Sequence, residues 1–479
     1  MSVNLTKPAE QVDITSGEYT ALLDNLQANI LWAHGRDFAR HVFIRFTGDP
    51  AVVREWVREM IGPRVTTARE QLEQILTREK DKEFNGGLVT GFFLSARGYE
   101  YLELGTKPFE KVFRRGMKSQ KLNVGDVISG SRNKDPDPDT WETGFQKDIH
   151  ALITVADVDE AVADDAAEAI GKSLAGIAQV ASLQKGTVLR RPIPGTKDFE
   201  PVEHFGYFDG ISQPLFTKRD LDKDRPENMN RKQWDPGAPL NLVLVDDPHT
   251  KEPEAFGSYL VYRKLAQNFE AFEARVHALA AALGIPADLA GAMVVGRFKD
   301  GTPVVSANTA SPGSEVLNAF NYDMDEAGSR CPFHAHIRKV NPRGGSPLPL
   351  EEERDRRILR RGIPYGPPMP GVVNPTEPNP DPAAPRGLLF MCFQRDINRQ
   401  FEFIQRTWVD NVIFPNGAGT KEDTGDDPLI GQHAGVAQRW PRSWGDEEGG
   451  EKKVNFESAV TLRGGEYFFA PSIPFIRSL

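Results

Sequence analysis

HVFIRFTGDPAVVREWVREMI, residues 41–61, sets the architectural pattern that the rest of the chain follows. His41 to Phe46 has the branched and aromatic density of a β-strand. Gly48-Asp49-Pro50 predicts a turn, and the apolar residues of 51–61 recur at helical spacing. The stretch therefore predicts a strand that leads straight into a helix.

The same alternation of strands and helices continues in both halves of the chain. Runs rich in branched and aromatic residues predict further strands, and apolar residues at helical spacing predict further helices. The predicted strands are 87–94, 149–155, 259–262, 291–298 and 388–393, and the predicted helices are 158–175, 265–283 and 401–408.

Each half thus reads as a strand-helix-strand unit, a long insertion and a second strand-helix unit. This order predicts an α+β fold, a duplicated ferredoxin-like arrangement of antiparallel sheets flanked by helices. A charged stretch rich in Pro, Asn and Asp, residues 218–239, separates the halves. We therefore expect two domains, residues 1–218 and 219–479.

The bulk composition limits the classes of partner. Charged residues make up 26% of the 479-residue chain and the formal net charge is −10, which argues against general binding to nucleic acid or to an anionic membrane. No window approaches the roughly 18 to 20 unbroken apolar residues of a membrane span. Met1 to Pro8 lacks the pattern of a secretory signal. The two cysteines, Cys331 and Cys392, favour a reducing compartment, so we expect a cytoplasmic protein.

Residues 331–343, CPFHAHIRKVNPR, gather two histidines, one cysteine and three cations. Imidazole is the commonest protein ligand of a transition metal, and the cations suit an anionic group on a cofactor. The two histidines, His334 and His336, need not both serve one metal. The alternative interpretation is a turn with hydrogen-bonded histidines. A structural zinc site is disfavoured, because no second Cys/His pair lies at a suitable spacing.

Residues 203–214, EHFGYFDGISQP, place one carboxylate, Asp209, between two glycines and beside aromatic residues. A Gly-x-x-Asp-Gly loop can be no more than a tight turn. If the loop is buried, however, a carboxylate in this apolar company is suited to proton transfer. Both interpretations remain open on the pattern alone.

Two further stretches carry charges that need a partner. Residues 354–366, RDRRILRRGIPYG, form a run of cations that passes into apolar residues, and an arginine that points inward must meet an anion or a strongly polar ligand. Within 388–408, Glu402 lies between two phenylalanines, and a metal-bound imidazole that offers its second N–H is a suitable partner. The alternative interpretations are a solvated cationic face and an ordinary core strand and helix.

Taken together, the four stretches resemble the dye-decolorising peroxidases, a family of haem peroxidases. Residues 206–210, GYFDG, are similar to the Gly-x-x-Asp-Gly signature of that family, 331–343 to its proximal histidine segment, and 358–366 to its distal arginine segment. The long insertions resemble the larger members, of types C and D or class V. The resemblance implies a duplicated ferredoxin-like fold and a b-type haem in the second half.

The resemblance also implies roles residue by residue. The axial iron ligand falls on His336 and the distal acid on Asp209. The distal arginine falls on Arg360, with Arg361 as the alternative if the register slips by one. The remaining implied roles are Arg343 and Arg338 as contacts of the haem propionates, Leu388 and Phe390 as the distal wall, Glu402 as the hydrogen-bond partner of the proximal imidazole, and Tyr365 and Trp408 as surface aromatics that pass an electron from a bulky substrate.

The implied activity is that of a haem-dependent peroxidase, which reduces hydrogen peroxide through a ferryl-oxo intermediate and oxidises dyes, phenols and similar small aromatic donors. In this scheme Asp209 moves a proton between the peroxide oxygens, and Arg360 stabilises the charge that develops across the O–O bond. Two alternatives are a haem-binding or haem-handling protein with little turnover and a non-haem metal hydrolase that uses His334 and His336. The physiological donor and the oligomeric state stay open, and a homo-oligomer is compatible with the sequence.

Overall fold

The computed structural model describes residues 3–120, 137–193, 197–224, 233–311, 318–369, 384–415, 423–432 and 435–479. Within these ranges the strands are β1 Phe38–Phe46, β2 Val89–Ser95, β3 Ala151–Asp157, β4 Ala178–Thr187, β5 Leu189–Pro192, β6 Phe199–Val202, β7 Val245–Asp246, β8 Phe256–Gln267, β9 Leu359–Arg360, β10 Ile363–Tyr365, β11 Gly387–Gln394, β12 Gln438–Pro441, β13 Glu451–Val454 and β14 Val460–Ala470.

The helices are α1 Thr20–Asn25, α2 Pro50–Trp56, α3 Ala68–Lys80, α4 Ala96–Tyr101, α5 Lys111–Arg115, α6 Thr143–Gln146, α7 Glu160–Ser173, α8 Lys218–Lys223, α9 Phe269–Leu283, α10 Ala287–Val295, α11 His336–Val340, α12 Leu350–Arg354, α13 Phe401–Phe403 and α14 Ile473–Ser478. The wide π-type turns Val57–Ile61 and Ile404–Val409 continue α2 and α13. Short 3₁₀ turns cover Ala9–Gln11, Gly17–Tyr19, Gly62–Arg64, Met117–Gln120, Pro138–Thr140 and Leu240–Leu242.

One large antiparallel sheet carries both halves of the chain. Its hydrogen-bonded strand order is β10-β11-β8-β14-β2-β3-β1-β4. The first half contributes β2-β3-β1-β4 and the second contributes β10-β11-β8-β14, so each half shows the strand order of a ferredoxin-like unit. The pairing of β14 with β2 joins the two units. The predicted fold, a duplicated ferredoxin-like arrangement with antiparallel strands and flanking helices, is confirmed.

The two outer strands of this sheet, β4 and β10, approach each other and close it into a barrel. A Cβ built at Gly186 of β4 would lie 2.5 Å from Cγ2 of Ile363 on β10, so only glycine permits this approach. Aromatic side chains fill the barrel. The ring of Phe43 meets those of Phe145 and Tyr262 edge to face, with centroids 4.9 and 4.8 Å away.

Local sequence explains the first strand-helix pair. β1 lies between β3 and β4 and is almost entirely buried, which suits its continuous run of branched and aromatic residues. The Asp49 side chain accepts a hydrogen bond from the Ala51 amide, and Pro50 occupies the first turn of α2. The predicted turn is therefore an N-cap, and α2 buries Val53 and Trp56 below it.

One predicted strand of the second half is a helix. The apolar run 291–298 lies largely in α10, which starts after Pro286 and ends at Gly296, where φ is 97°. A short apolar run without alternation is compatible with a buried helix as well as with a buried strand. In the sheet, the second half of the chain supplies β10 in place of the predicted strand. β10 lies within the arginine-rich residues 354–366, for which the sequence predicted no strand.

A second hydrophobic core, outside the barrel, joins the two stretches that carry the candidate site. Phe205 of the loop 203–214 stacks on Phe272 of α9, with ring centroids 4.1 Å apart. Cys331 and Ala335 of the histidine segment are buried in the same cluster. This core therefore holds the aspartate loop and the histidine segment in one place.

Among the described helices, none is by itself long and apolar enough to cross a membrane. The pair α9 and α10 reaches that length and composition together, with a bend of 110° between them.

Candidate active site

A cavity lies between the histidine segment, the loop 211–214 and the strands β9 and β11. It holds about 1050 Å³ of empty space, part of it open to solvent. Its apolar wall residues include Ile211, Ile337, Val340, Ile358, Phe390, Phe401, Ile404 and Ile430, and its cationic ones are Arg297, Arg343, Arg357 and Arg360.

His336 is the imidazole that lines this cavity. The segment begins with a turn, in which the Ala335 amide donates to the Pro332 carbonyl, and continues as α11, whose first residue is His336. Pro342 follows and cannot extend the helix. Nδ1 of His336 lies 2.7 Å from Oδ2 of Asp427. The carboxylate therefore holds a proton on Nδ1 and leaves Nε2 with its lone pair.

Asp427, rather than the predicted Glu402, is the carboxylate that contacts the imidazole. Its side chain is fully buried. Oδ1 accepts the backbone amides of Leu429 at 2.7 Å and Ile430 at 3.1 Å, so the carboxylate is fixed while Oδ2 faces the ring. A sequence signal for it exists, because residues 426–430, DDPLI, set an aspartate beside apolar residues.

Glu402 bonds Tyr467 instead. The Tyr467 hydroxyl donates to Oε1 of Glu402 at 2.9 Å, and burial raises the pKa of the Glu402 carboxyl. Its neighbour Phe401 lines the cavity, whereas Glu402 does not. The prediction that Glu402 holds the proximal imidazole is therefore wrong, because successive residues of α13 point to different sides.

The other two candidate ligands of the histidine segment face away from the cavity. His334 is fully buried, its Nδ1 lies 3.1 Å from the Thr424 carbonyl, and its ring meets Trp440 edge to face at 4.2 Å. Burial lowers the pKa of His334 to about 3, so the ring is neutral. Cys331 is buried too, and burial raises the pKa of its thiol to about 12. Among the described residues, no group of three or more His, Cys, Asp or Glu side chains is arranged to hold a metal ion.

Arg343 supplies a buried positive charge to the cavity wall. It donates to the carbonyls of Asn318 and Phe320 and to the hydroxyl of Ser212. Burial, together with the neighbouring Arg297, lowers the pKa of Arg343 to about 9. Because these hydrogen bonds go to uncharged groups, the cation still favours an anion in the cavity.

Arg357 is a second cation of the wall, and its side chain is half-buried. It donates to the carbonyls of Pro236 and Gly237. Burial, together with Arg354, lowers the pKa of Arg357 to about 10. The sequence motifs did not single it out, because it lies among several arginines in a run that is typical of a solvated face.

Arg338, predicted as a propionate contact, does not line the cavity. Its guanidinium pairs with Asp325 at 2.9 Å and donates to the Cys331 carbonyl at 2.6 Å. The charge is thus neutralised by a buried aspartate, and the bond to the Cys331 carbonyl ties Arg338 of α11 to the start of the histidine segment. The prediction for Arg338 is wrong for this reason.

The Gly-x-x-Asp-Gly loop is a turn that places Asp209 beside Arg360. Gly206 and Gly210 adopt φ values of 84° and 85°, which favour glycine at both positions. Oδ1 of Asp209 accepts the Gly210 amide at 2.7 Å and lies 3.7 Å from the Arg360 guanidinium. The Asp209 side chain is 31% exposed and stands behind Arg360, which itself lines the cavity. The loop is therefore a tight turn that holds the Asp209 carboxylate beside Arg360. The carboxylate is not buried among the aromatic residues.

Strand alternation decides between the two candidate distal arginines. Arg360 on β9 lines the cavity, and its guanidinium donates to the Ile211 carbonyl at 2.8 Å. Arg361 follows on the opposite face, and burial lowers its pKa to about 9. It donates to the backbone carbonyls of Asn29, Ile30 and Leu31 in the first half of the chain.

Ser212 and Arg343 connect the aspartate loop to the histidine segment. The Arg343 guanidinium donates to Oγ of Ser212 at 2.9 Å. Both residues have left-handed backbones, with φ of 65° for Ser212 and 52° for Arg343. Such conformations are uncommon outside glycine and cluster at functional sites, where the surrounding structure holds them in place.

The remaining predicted residues divide into one wall residue and three that lie elsewhere. Phe390 lines the cavity, whereas Leu388 is half-buried on the same face of β11 outside the lining. Tyr365 and Trp408 are only 6% and 2% exposed, and Trp408 stacks on Phe414. They are therefore not the surface aromatics that the sequence predicted.

The donor set of the cavity fits a haem. One imidazole with a free ring nitrogen suits an axial iron ligand, and the apolar wall suits a porphyrin plane. The buried Arg343 and the half-buried Arg357, both bonded to uncharged oxygens, suit two carboxylates. The neighbouring Asp209 and Arg360 supply an acid-base group and a fixed cation. Together these groups define the site of a haem peroxidase.

Comparisons with known proteins agree with this class. A family model described as "DyP dimeric alpha+beta barrel domain" matches residues 25–191, and one described as "Dyp-type peroxidase, C-terminal" matches residues 222–413. The Multifunctional dye peroxidase DyP2 of Amycolatopsis sp. is 37% identical over 470 residues, which cover 97% of each chain. The Dye-decolorizing peroxidase AauDyP1 of Auricularia auricula-judae is 32% identical and covers 94% of this chain and 85% of its own.

Solved structures give the same result. The DyP-type peroxidase AnaPX of Anabaena sp. matches with a TM-score of 0.88 at 39% identity, covering 99% of this chain and 98% of its own. DyP2 of Amycolatopsis sp. matches over the whole of both chains with a TM-score of 0.86 at 36% identity. The chain therefore belongs to the dye-decolorising peroxidases, a family of haem-dependent oxidoreductases. The division at residues 218 and 219 stays a prediction.

Proposed function

We propose that the chain binds haem b in this cavity and reduces hydrogen peroxide there, with His336 as the axial ligand. The observation that carries the proposal is the 2.7 Å contact between Nδ1 of His336 and Asp427, which leaves Nε2 to bind iron. Arg343 and Arg357 would hold the two propionates. Haem, once bound, supplies the chemistry that accepts two oxidising equivalents from peroxide and passes them on one electron at a time.

Asp209 is the group that would move the peroxide proton. Its Oδ1 accepts the Gly210 amide and faces Arg360. Oδ2 is therefore the oxygen that takes a proton from one peroxide oxygen and returns it to the other, which departs as water. Because Asp209 stands behind Arg360, the transfer runs through one bridging water or a small shift of the loop, whose flanking glycines permit it.

Arg360 would stabilise the negative charge on the departing oxygen. Its backbone amide donates to the Gln213 side chain at 3.1 Å and its guanidinium to the Ile211 carbonyl at 2.8 Å, so the cation is oriented before peroxide arrives. A fixed cation in a cavity with apolar walls loses little energy to reorganisation. Phe390 and Ile404 would keep bulk water from the reacting oxygens.

Small phenols and dyes are the electron donors that we propose. The relatives from Amycolatopsis sp. and Auricularia auricula-judae are named as dye peroxidases. The cavity is partly open to solvent, so peroxide and a small phenol can enter it. A bulky dye would need a route that carries electrons through the protein.

An absorption spectrum of the purified holoprotein before and after one equivalent of peroxide tests the proposal. The wild type should show a Soret band, a rapid change on addition of peroxide, and recovery when a phenol or dye is added. His336→Ala should lose haem or bind it weakly. The matched control His334→Gln changes the neighbouring imidazole, which faces away from the cavity, and should keep the spectrum. A normal Soret band and turnover in His336→Ala would show that the axial assignment is wrong.

The same measurement separates the proposal from two other classes. Haem that binds but does not respond to peroxide would indicate a haem-binding or haem-handling protein. Zinc in the purified protein without a Soret band would indicate a metal hydrolase.

A further inference from the structure

A lysine ammonium is buried behind the imidazole of His336. Lys339 follows His336 by three residues on α11 and is 0% exposed, yet it does not line the cavity. Residues three apart on a helix are neighbours on its surface, so the two side chains leave α11 on the same side. Because burying a charge is costly unless oxygens surround it, the contacts of this ammonium indicate its task.

The ammonium binds two carbonyls of a single turn. Nζ of Lys339 donates to the Asn411 carbonyl at 2.6 Å and to the Phe414 carbonyl at 2.9 Å. It also lies 5.5 Å from the ring centroid of Phe414. Both carbonyls belong to residues 409–414, which follow α13 and its π-type extension and which we call the proximal turn. Lys339 therefore fixes the proximal turn to α11.

The segment that carries Asp427 is bonded to the same turn. The Asp427 amide donates to the Val409 carbonyl at 3.1 Å, and the Thr424 amide donates to the Val412 carbonyl at 2.8 Å. The Thr424 hydroxyl donates at 3.0 Å to the Phe414 carbonyl, which also accepts the lysine. The proximal turn therefore lies between the ammonium and the carboxylate, and Asp427 completes the connection back to α11 through the imidazole.

Negative charge surrounds this ammonium. Burial lowers the pKa of Lys339 to about 8, against the attraction of four aspartates, Asp426, Asp427, Asp410 and Asp423. Asp410, Asp426 and Asp427 are themselves buried. Buried carboxylates repel one another unless a cation lies among them. The lysine supplies that cation at the place where the proximal turn meets the segment 424–427.

We propose that Lys339 is a positioning residue, whose ammonium anchors the proximal turn and thereby holds the Asp427 carboxylate against Nδ1 of His336. The inference rests on the proposed haem peroxidase function, because a carboxylate held on the far nitrogen strengthens the imidazole as a donor to iron. Without the ammonium, two buried carbonyls lose their donor and the aspartates lose their cation. The segment 424–427 then moves away from the ring, and the imidazole becomes a weaker donor.

Two measurements on the holoprotein test this role without using turnover. Resonance Raman spectra of the ferrous protein give the iron–imidazole stretching frequency, and transfer of haem to an excess of apo-globin gives the rate of haem loss. Lys339→Met keeps a long apolar side chain but has no donor, so its frequency should fall towards that of Asp427→Asn and haem loss should be roughly 10-fold faster. The matched control Lys452→Met removes an ammonium that donates to the Ala282 carbonyl at 2.7 Å, and should change neither quantity.

The double variant Lys339→Met, Asp427→Asn separates positioning from general stabilisation. If the lysine acts through the carboxylate, adding Lys339→Met to Asp427→Asn should shift the frequency no further. Equal shifts with and without the Asp427 carboxylate would overturn the proposal, as would a wild-type frequency in Lys339→Met with only a lower free energy of unfolding.

The wild-type spectrum separates this inference from the proposed function. A wild-type holoprotein without an iron–imidazole band would overturn both. A normal wild-type band that Lys339→Met leaves in place would overturn the role of the lysine alone. If Lys339→Met does not fold, Thr424→Val decides, because it removes a bond between the proximal turn and the segment 424–427 while the ammonium stays. An unchanged frequency in that variant contradicts the proposal.

Discussion

The position of a single proton on His336 determines which of its ring nitrogens can donate to a ligand. Asp427 holds that proton on Nδ1, and two backbone amides fix Asp427 itself. An imidazole with a carboxylate on its far nitrogen is a stronger donor to a metal. Glu402, chosen from the sequence for this task, instead accepts from Tyr467.

Asp427→Asn should weaken haem binding or turnover by roughly 10- to 100-fold, the usual effect of losing an outer partner of a metal ligand. The amide carries no charge, so the imidazole becomes a weaker donor and the reduction potential of the iron should rise. Haem titration and potentiometry measure both quantities. The control Glu402→Gln should leave them unchanged, and equal effects of the two substitutions would contradict the assignment of Asp427.

The sequence brought His336, Arg360 and Asp209 to one site through the family resemblance that their motifs carry. It missed Asp427 for a physical reason. The partner of the imidazole is 91 residues away along the chain, and only the fold brings the two together. Glu402 satisfies the same criterion, a carboxylate among apolar residues, so composition alone could not separate them.

At the scale of single elements, the end of β9 shows how two adjacent arginines, Arg360 in the strand and Arg361 just after it, make different contacts. Successive side chains of a strand point to opposite faces. Arg360 therefore faces the cavity, while Arg361 binds three carbonyls of residues 29–31 and ties the second half of the chain to the first.

Arg360→Leu should slow the reaction with peroxide by roughly 100- to 1,000-fold, because it removes a fixed cation at the developing charge. Its free energy of unfolding should change little. Arg361→Leu should instead lower the free energy of unfolding by roughly 2 to 5 kcal/mol, since three carbonyls lose their donor. Stopped-flow spectra and urea unfolding of both variants measure this. A slower peroxide reaction in the folded Arg361 variant than in the Arg360 variant would reverse the assignment.

Elements with local signals were predictable, and two without them were not. The Asp49 N-cap marks the start of α2. The run 291–298 is apolar on all sides because α10 is buried, so neither helical nor strand periodicity survives. β10 has only three residues, and one of them is Pro364. A strand tolerates proline at the edge of a sheet, and β10 is the last strand in the hydrogen-bonded order.

At the scale of the whole molecule, the fold buries neutral histidines in several different places. His41 lies inside the barrel, His204 joins the aspartate loop to the Tyr365 carbonyl at 2.8 Å, and His334 packs behind the histidine segment. Burial lowers the pKa of His41 and His334 to about 3 and that of His204 to about 4. Barrel closure and the second core produce these shifts, which no local motif of the sequence could reveal.

Acid should therefore unfold this protein through its histidines as well as its carboxylates. Their folded pKa values lie below the ordinary value of about 6.5, so the unfolded chain takes up these protons first as the pH falls. The stabilisation is complete above about pH 6.5 and is lost towards pH 4 to 3, at up to about 1.4 kcal/mol per pH unit for each histidine.

Urea unfolding between about pH 7 and pH 5 measures this slope. His204→Gln keeps a donor for the Tyr365 carbonyl but does not titrate, so its slope should be shallower by about one proton. His277→Gln, at an exposed position of α9, is the matched control and should leave the slope as it is. An unchanged slope in His204→Gln would mean that this imidazole takes up its proton while the protein is still folded.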